Sequence, residues 1–238
     1  MVRKNIATIM LAIGGVLTTA AFLMAFLWAP MTDFGFVNIG GAEIPKPDIA
    51  QKIFYFHVPV AEASFLVFFF VAMYGAIFLW KKDRVYDTKA RIAAEVTFMF
   101  IILTMISGDL WTKASWDSWW IWEPRLTTYF IMTLLVVAYF VLRNSIEDEE
   151  RRATYAAVFG IIAFLDAPLS FSITRWYRSI HPVVIGGSSG SWLYGPRLVT
   201  FIVAQIGMLM LGYAIYQLRM REEIAKERIE AVKAELEG

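Results

Sequence analysis

Six long apolar runs constrain this chain more than any other feature. The first, "IATIMLAIGGVLTTAAFLMAFLWA", covers residues 6–29. Others lie at residues 58–80 and at about 92–110, 126–142, 153–173 and 198–218. A helix that crosses a bilayer needs about 20 mainly apolar residues. In hydrocarbon, a helix also satisfies its backbone polar groups without help from outside. The runs therefore predict an all-α integral membrane protein with six transmembrane helices. The first run exceeds the roughly 7–15 residues of a signal-peptide core, so it reads as a retained anchor. Composition agrees: 58% of the 238 residues are hydrophobic and the mean hydropathy is +0.56, well above a soluble domain. Residues 1–218 read as one membrane domain. Residues 219–238 read as a helical cytoplasmic tail, with Glu222 and Lys226 at a favourable i,i+4 spacing. Its stripe of Ile229, Val232 and Leu236 suits a partner or an extension left in water.

Orientation follows from lysine and arginine. Six spans put both ends on one side. That side carries fifteen Lys and Arg residues, and the other side carries seven. The positive-inside rule then predicts both termini in the cytoplasm of a cytoplasmic (inner) membrane, with residues 30–57, the loop at 111–127 and residues 174–197 outside. A net charge of +1 gives no sign of a nucleic-acid partner. The chain has no cysteine, which excludes disulfides, thiolate metal sites and thioether links within it. No phosphate-binding glycine loop is present.

Seven of the nine tryptophans and both histidines fall in or beside the outer loops. Trp111, Trp116, Trp119, Trp120 and Trp122 crowd one of them. In a helix, Trp116, Trp119 and Trp120 share a face; in an extended chain, Trp120 and Trp122 share a side. An aromatic belt at headgroup depth is the simpler explanation, but a belt spreads over many helix ends. A platform for a planar apolar ligand accounts better for the clustering. His57 stands at the outer mouth of the second run, where Pro59 suits the first turn of a helix. His181 stands in the third outer loop, beside Pro182. Either alone could be a hydrogen-bonding interfacial side chain. As a pair facing the indoles they suit the two axial positions of a haem iron. Arg125, Arg175 and Arg178 are candidate propionate partners, or simply anchor loops. The glycine-rich run at 186–190 could be a hinge or an idle linker. Asp166, an acid within the fifth run, is a functional candidate by position, or bonds a neighbouring helix beside Pro168.

Three stretches resemble a known family. "WDSWWIWEPRLT" is similar to the tryptophan-rich signature WGxWWxWDxRLT of the haem-handling membrane proteins of cytochrome c maturation. "KIFYFHVPVA" and "RWYRSIHP" resemble the two histidine motifs of one branch, the haem exporter protein C family. The resemblance implies His57 and His181 as axial haem ligands. It implies Trp116, Trp119, Trp120 and Trp122 as the indoles holding the haem edge, with Glu123, Arg125 and Thr127 completing the signature. Trp111 and Trp176, beside these motifs, are further candidates. Asp117 departs from the usual glycine, Glu123 from the usual aspartate, and Pro124 follows it. Asp117 adds a charge that would oppose an anionic ligand.

The resemblance further implies an assembly factor, not an enzyme. Such proteins hold haem b transiently and non-covalently at the outer membrane face and load it onto a membrane-anchored haem chaperone. They work in an ABC-type complex with an ATPase subunit that hydrolyses ATP, a second membrane subunit and a small membrane peptide. Three rivals give these residues less to do. A b-type membrane cytochrome usually holds haem between mid-span histidines. A haem-lyase-type relative would carry further histidines in the membrane. A small-solute permease leaves the histidine pair unexplained.

Overall fold

The computed structural model describes residues 2–31, 35–39, 42–46, 49–181 and 193–237. In chain order the elements are α1 (Val2–Leu27), β1 (Gly35–Ile39), β2 (Ala42–Lys46), α2 (Gln51–Lys81), α3 (Arg84–Trp116), α4 (Pro124–Asn144), α5 (Glu149–Phe164), α6 (Asp166–Trp176) and α7 (Pro196–Glu237). Six segments are long and apolar enough to cross a membrane, with α5 and α6 together forming the fifth. The expected six-span helical architecture is present, and the chain is a multi-pass membrane protein. The proposed hinge at 186–190 lies outside the described residues.

Three local features differ from the expectation. The segment between the first two spans contains a small antiparallel hairpin, with Gly35 opposite Lys46 and Ile39 opposite Ala42. The Gly40–Gly41 pair between its strands is a hairpin signal that a hydropathy reading passes over. The second helix starts at Gln51, so Pro59 lies in its interior and not in its first turn. There its ring removes the N–H that would bond the Tyr55 carbonyl. The fifth span breaks at Leu165, just before Asp166 and Pro168. Proline cannot donate to the carbonyl four residues back, at Phe164.

Side chains and local backbone geometry mark the helix ends. Lys82 is left-handed, with φ 56°, and its N–H closes α2 on the Phe78 carbonyl. Asp83 caps α3 by accepting from the Val85 N–H at 2.9 Å, and Asp148 caps α5 by accepting from the Arg151 N–H at 2.8 Å. At its other end α3 closes on Asp117, also left-handed, with φ 54°. This is the position at which the tryptophan-rich signature usually has glycine. Aspartate is one of the few other residues that tolerates that conformation. Its carboxylate is exposed and pairs with Lys113 Nζ at 2.6 Å, which holds it below the usual carboxylate range. Helix α4 starts with Glu123 as N-cap and Pro124 at the first helical position, where no partner for a proline N–H is needed. Two of the signature departures are thus cap residues suited to their places.

Helix α2 packs against α3, α5 and α7, while α1 packs on α7 and α4 on α5 and α6. Phe68 and Val71 of α2 meet Ile101 of α3, Met132 and Val136 of α4 and Ala163 of α5 in one cluster. Lipid tails are as apolar as leucine, so such helices associate through close packing and interhelical hydrogen bonds. Gly207 of α7 shows how close: a Cβ there would stand 2.7 Å from Thr18 Oγ1 and 2.8 Å from Thr18 N of α1. One end of the bundle is held by charge. Arg143 makes a bidentate contact with Asp87, at 2.6 and 3.0 Å, both side chains largely buried. Arg84 Nη1 donates to the Glu149 carbonyl at 2.7 Å. Arg91, Glu95, Arg219 and Glu223 tie α3 to α7, and α7 continues without a break through the tail, where Ile229, Val232 and Leu236 are exposed.

Two stability predictions follow from these contacts. Asp87→Ala leaves a buried guanidinium without its carboxylate and is expected to cost about 3–5 kcal/mol, read as a lower unfolding temperature in detergent. Arg143→Met combined with Asp87→Leu should recover most of that loss, and a parent-like Asp87→Ala contradicts the ion-pair account. At position 117, glycine should match or exceed aspartate in unfolding temperature, alanine should fall below it and valine lowest. The reverse order would mean that the left-handed cap does not govern this turn.

Candidate functional site

At the opposite end of the bundle, the start of α2, the end of α3, the start of α4 and the segment after α6 surround a cleft of about 830 Å³, including its mouth. His57 and His181 both line it, as do Trp111, Trp116, Trp120 and Arg125.

His57 sits in the second turn of α2 and is buried. Its Nδ1 lies 2.9 Å from Ser107 Oγ on α3. Gly108 makes room for the ring: a Cβ there would stand 3.0 Å from His57 Cε1. Trp111, one turn further along α3, has its ring near both histidines. Its ring is 5.8 Å from His57, at 85°, and 6.5 Å from His181, at 45°. Thus the two imidazoles, far apart in sequence, both approach one indole.

Glu123 positions His181 through hydroxyl and backbone groups. Its Oε1 accepts from the Leu126 N–H at 2.7 Å and caps α4. Its Oε2 accepts from the Ser179 hydroxyl. Ser179 Oγ in turn accepts from the His181 backbone N–H at 3.0 Å. The His181 ring is buried, with Nδ1 3.9 Å from Glu123 Oε1, too far for a hydrogen bond. That nitrogen has no hydrogen-bond partner among the described residues. Burial, with Arg125 and His57 nearby, holds the His181 imidazole well below its ordinary value. It is therefore neutral at neutral pH and keeps a lone pair for a metal.

Arg125, at the start of α4, donates from Nη2 to the Phe171 carbonyl at 2.9 Å and stands 5.9 Å from that ring's centre. Arg175 donates to the same carbonyl at 3.2 Å but is exposed. Arg178 is exposed too, and neither arginine is among the described cleft-lining residues. The tryptophans also divide. Trp111 and Trp116 belong to α3, so the indole-rich stretch is helical up to Trp116 and irregular from Asp117 to Glu123. Trp120 lines the cleft, and its Nε1–H is buried without a partner among the described residues. Trp119 and Trp122 are 61% and 71% exposed and are absent from the described lining. Trp122 supports Trp120 edge-on at 5.4 Å, and both rings meet Phe130. Trp176 is exposed, and Thr127 lies on α4 away from the described lining. Asp166 is buried at the α5–α6 break, its Oδ2 unpartnered among the described residues, and does not line the cleft.

Ser107, Gly108, Ser179, Phe171, Tyr129, Glu62 and Asp109 were not singled out as site residues by the sequence motifs. Thr104, Gly108, Trp111 and Thr112 recur at helical spacing and all line the cleft, a face visible only if the third helix is read past Leu110. Ser179 lies within a quoted motif but draws no attention as a residue type.

The donors suit a haem. Among the described residues, no cluster of three or more His, Cys, Asp or Glu could hold a bare metal ion. Two imidazoles are enough when a macrocycle supplies the other four nitrogens. The unpartnered His181 Nδ1 and Trp120 Nε1 are buried polar atoms of the kind that normally find a partner, and both residues border the apolar cleft.

Known proteins resemble this chain over most of its length. The family model "Heme exporter protein C" matches residues 2–235. The chain is 27% identical to the heme exporter protein C of Paracoccus denitrificans over 195 residues, covering 79% of each chain. It is 28% identical to that of Haemophilus influenzae over 216 residues, covering 86% of this chain and 85% of the relative. A putative cytochrome c biosynthesis ccmC-like mitochondrial protein of Marchantia polymorpha is 25% identical over 173 residues, 73% of each. The chain belongs to the haem exporter protein C family.

Proposed function

We propose that this protein delivers haem during cytochrome c biogenesis, holding it in the cleft between His57 and His181. The family supports the haem-handling role. The observation that carries the site is that both histidines line one apolar cleft, with Trp111 near each of them. In this reading His57 and His181 would hold the haem iron, and the haem would be haem b, bound transiently. Trp111, Trp116 and Trp120 would give it apolar cover, and Arg125 would pair with a propionate. Arg175 acts indirectly, through the carbonyl it shares with Arg125. When bound, the haem iron supplies the coordination chemistry; the chain supplies ligands, burial and charge. Apolar burial at about 25 cal/mol per Å² contributes several kcal/mol and keeps the ligand on the protein until it is handed on.

The charge asymmetry supports a setting in the inner membrane with both termini in the cytoplasm and the cleft outside. The partners would be a membrane-anchored haem chaperone, which receives the haem, and an ABC-type complex of ATPase, second membrane subunit and small membrane peptide. The chain would act as a transfer factor, with ATP hydrolysis assigned to the partner ATPase. The tail beyond residue 218 would remain on the cytoplasmic side.

Absorption spectra of the purified protein test the ligands. The parent should show a six-coordinate, low-spin haem. His57→Ala and His181→Ala should each lower occupancy, with partial recovery in added imidazole. A double variant with full haem and an unchanged spectrum would falsify the assignment. The cleft geometry also ranks the indoles: Trp120→Ala should weaken haem retention more than Trp119→Ala, and the opposite order would point to a binding surface on the exposed side of the loop.

A further inference from the structure

We infer that Ser107 is a positioning residue that fixes the tautomer of His57, leaving the His57 Nε2 lone pair free for a metal. The inference rests on the haem-ligand reading above and adds to it a residue outside all three family motifs. The chemistry is a matter of one proton. Ser107 Oγ lies 2.8 Å from the Leu103 carbonyl and 3.1 Å from the Thr104 carbonyl, and it donates to these. Carbonyl oxygens only accept, so the single hydroxyl proton is directed back along α3, a common arrangement for serine within a helix. Toward His57 Nδ1, at 2.9 Å, the same oxygen then presents a lone pair. The ring nitrogen facing it must carry the hydrogen. In a neutral imidazole that leaves Nε2 unprotonated, and His57 lines the cleft.

The ring is also held in place. Gly108 lies against Cε1 so closely that a Cβ would stand 3.0 Å away, and Trp111 meets the ring edge-on. A flip that exchanged the two nitrogens would have to break the serine contact within this packing. His181 has no such lock: its Nδ1 is unpartnered among the described residues, and its backbone is held through Ser179. Hydrogen bonds to the far nitrogen of a ligating histidine set its orientation and raise its basicity, and losing them typically costs about 10–100-fold in metal affinity.

The chain has two histidines, so 15N-histidine labelling gives two rings to assign, and His181→Ala identifies His57. At neutral pH, haem-free protein in detergent should show His57 protonated at Nδ1 and bare at Nε2. Ser107→Ala should shift that ring toward the other tautomer or a mixture. In the haem-loaded protein it should weaken haem binding about 10–100-fold and raise the reduction potential, because a less basic imidazole stabilises ferric iron less. Ser107→Thr, which keeps the hydroxyl, should restore the parent tautomer. A parent ring protonated at Nε2 overturns the inference and leaves the ligand reading standing; this needs no variant to fold. Tautomer, affinity and potential all unchanged in Ser107→Ala overturn it as well. Haem binding unaffected by His57→Ala removes the ligand reading and this inference with it.

Discussion

Glu123 joins two segments that chain connectivity alone would not bring together. One carboxylate oxygen caps α4 at the Leu126 N–H and the other takes the Ser179 hydroxyl. Ser179 then takes the His181 N–H. The segment carrying the second histidine is thereby fixed to the end of the tryptophan loop. Without that bridge, the His181 backbone would lose its tie, through Ser179, to the start of α4. The carboxylate is buried, where an unpaired charge is costly. Both of its oxygens have partners, so the contact specifies geometry while meeting its own solvation needs.

The two histidines are held in different ways, which matters for a protein that has to let its cargo go. His57 belongs to a transmembrane helix, against Ser107, Gly108 and Trp111. His181 lies past the end of α6, held through its backbone. Helical scaffolding keeps a side chain in place more firmly than a loop segment does. On the proposed reading, His57 is the ligand that stays and His181 the one whose support can be undone by moving a few residues. The charged network at the far end of the bundle holds α3 to α4 and α7.

Much of this was legible in the sequence, and physics explains what was not. The spans follow from hydropathy because lipid leaves the backbone few alternatives to a helix. Their ends do not, because helices such as α3 continue through polar residues once caps like Asp83 and Asp117 allow it. That extension turned Trp111 from a loop residue into a helical indole near both histidines. The histidines and Arg125 were readable as residue types in motifs, and the cleft brings them together. Trp119 and Trp122 looked equivalent to Trp120, but only the fold shows which indole faces inward. Ser107 and Ser179 were invisible for a different reason: serine is common in helices and loops, and only a partner in space gives one a role. Asp117 was read as an electrostatic departure. Its positive φ and its ion pair with Lys113 give it a backbone role as well.

The central claim is that both imidazoles bind one iron, and pulsed electron paramagnetic resonance of the ferric protein tests it most directly. Protein made with 15N-histidine should give a low-spin signal coupled to two axial histidine nitrogens. His57→Ala and His181→Ala should each retain coupling to one. A high-spin signal, or a low-spin signal without histidine coupling, would contradict the account.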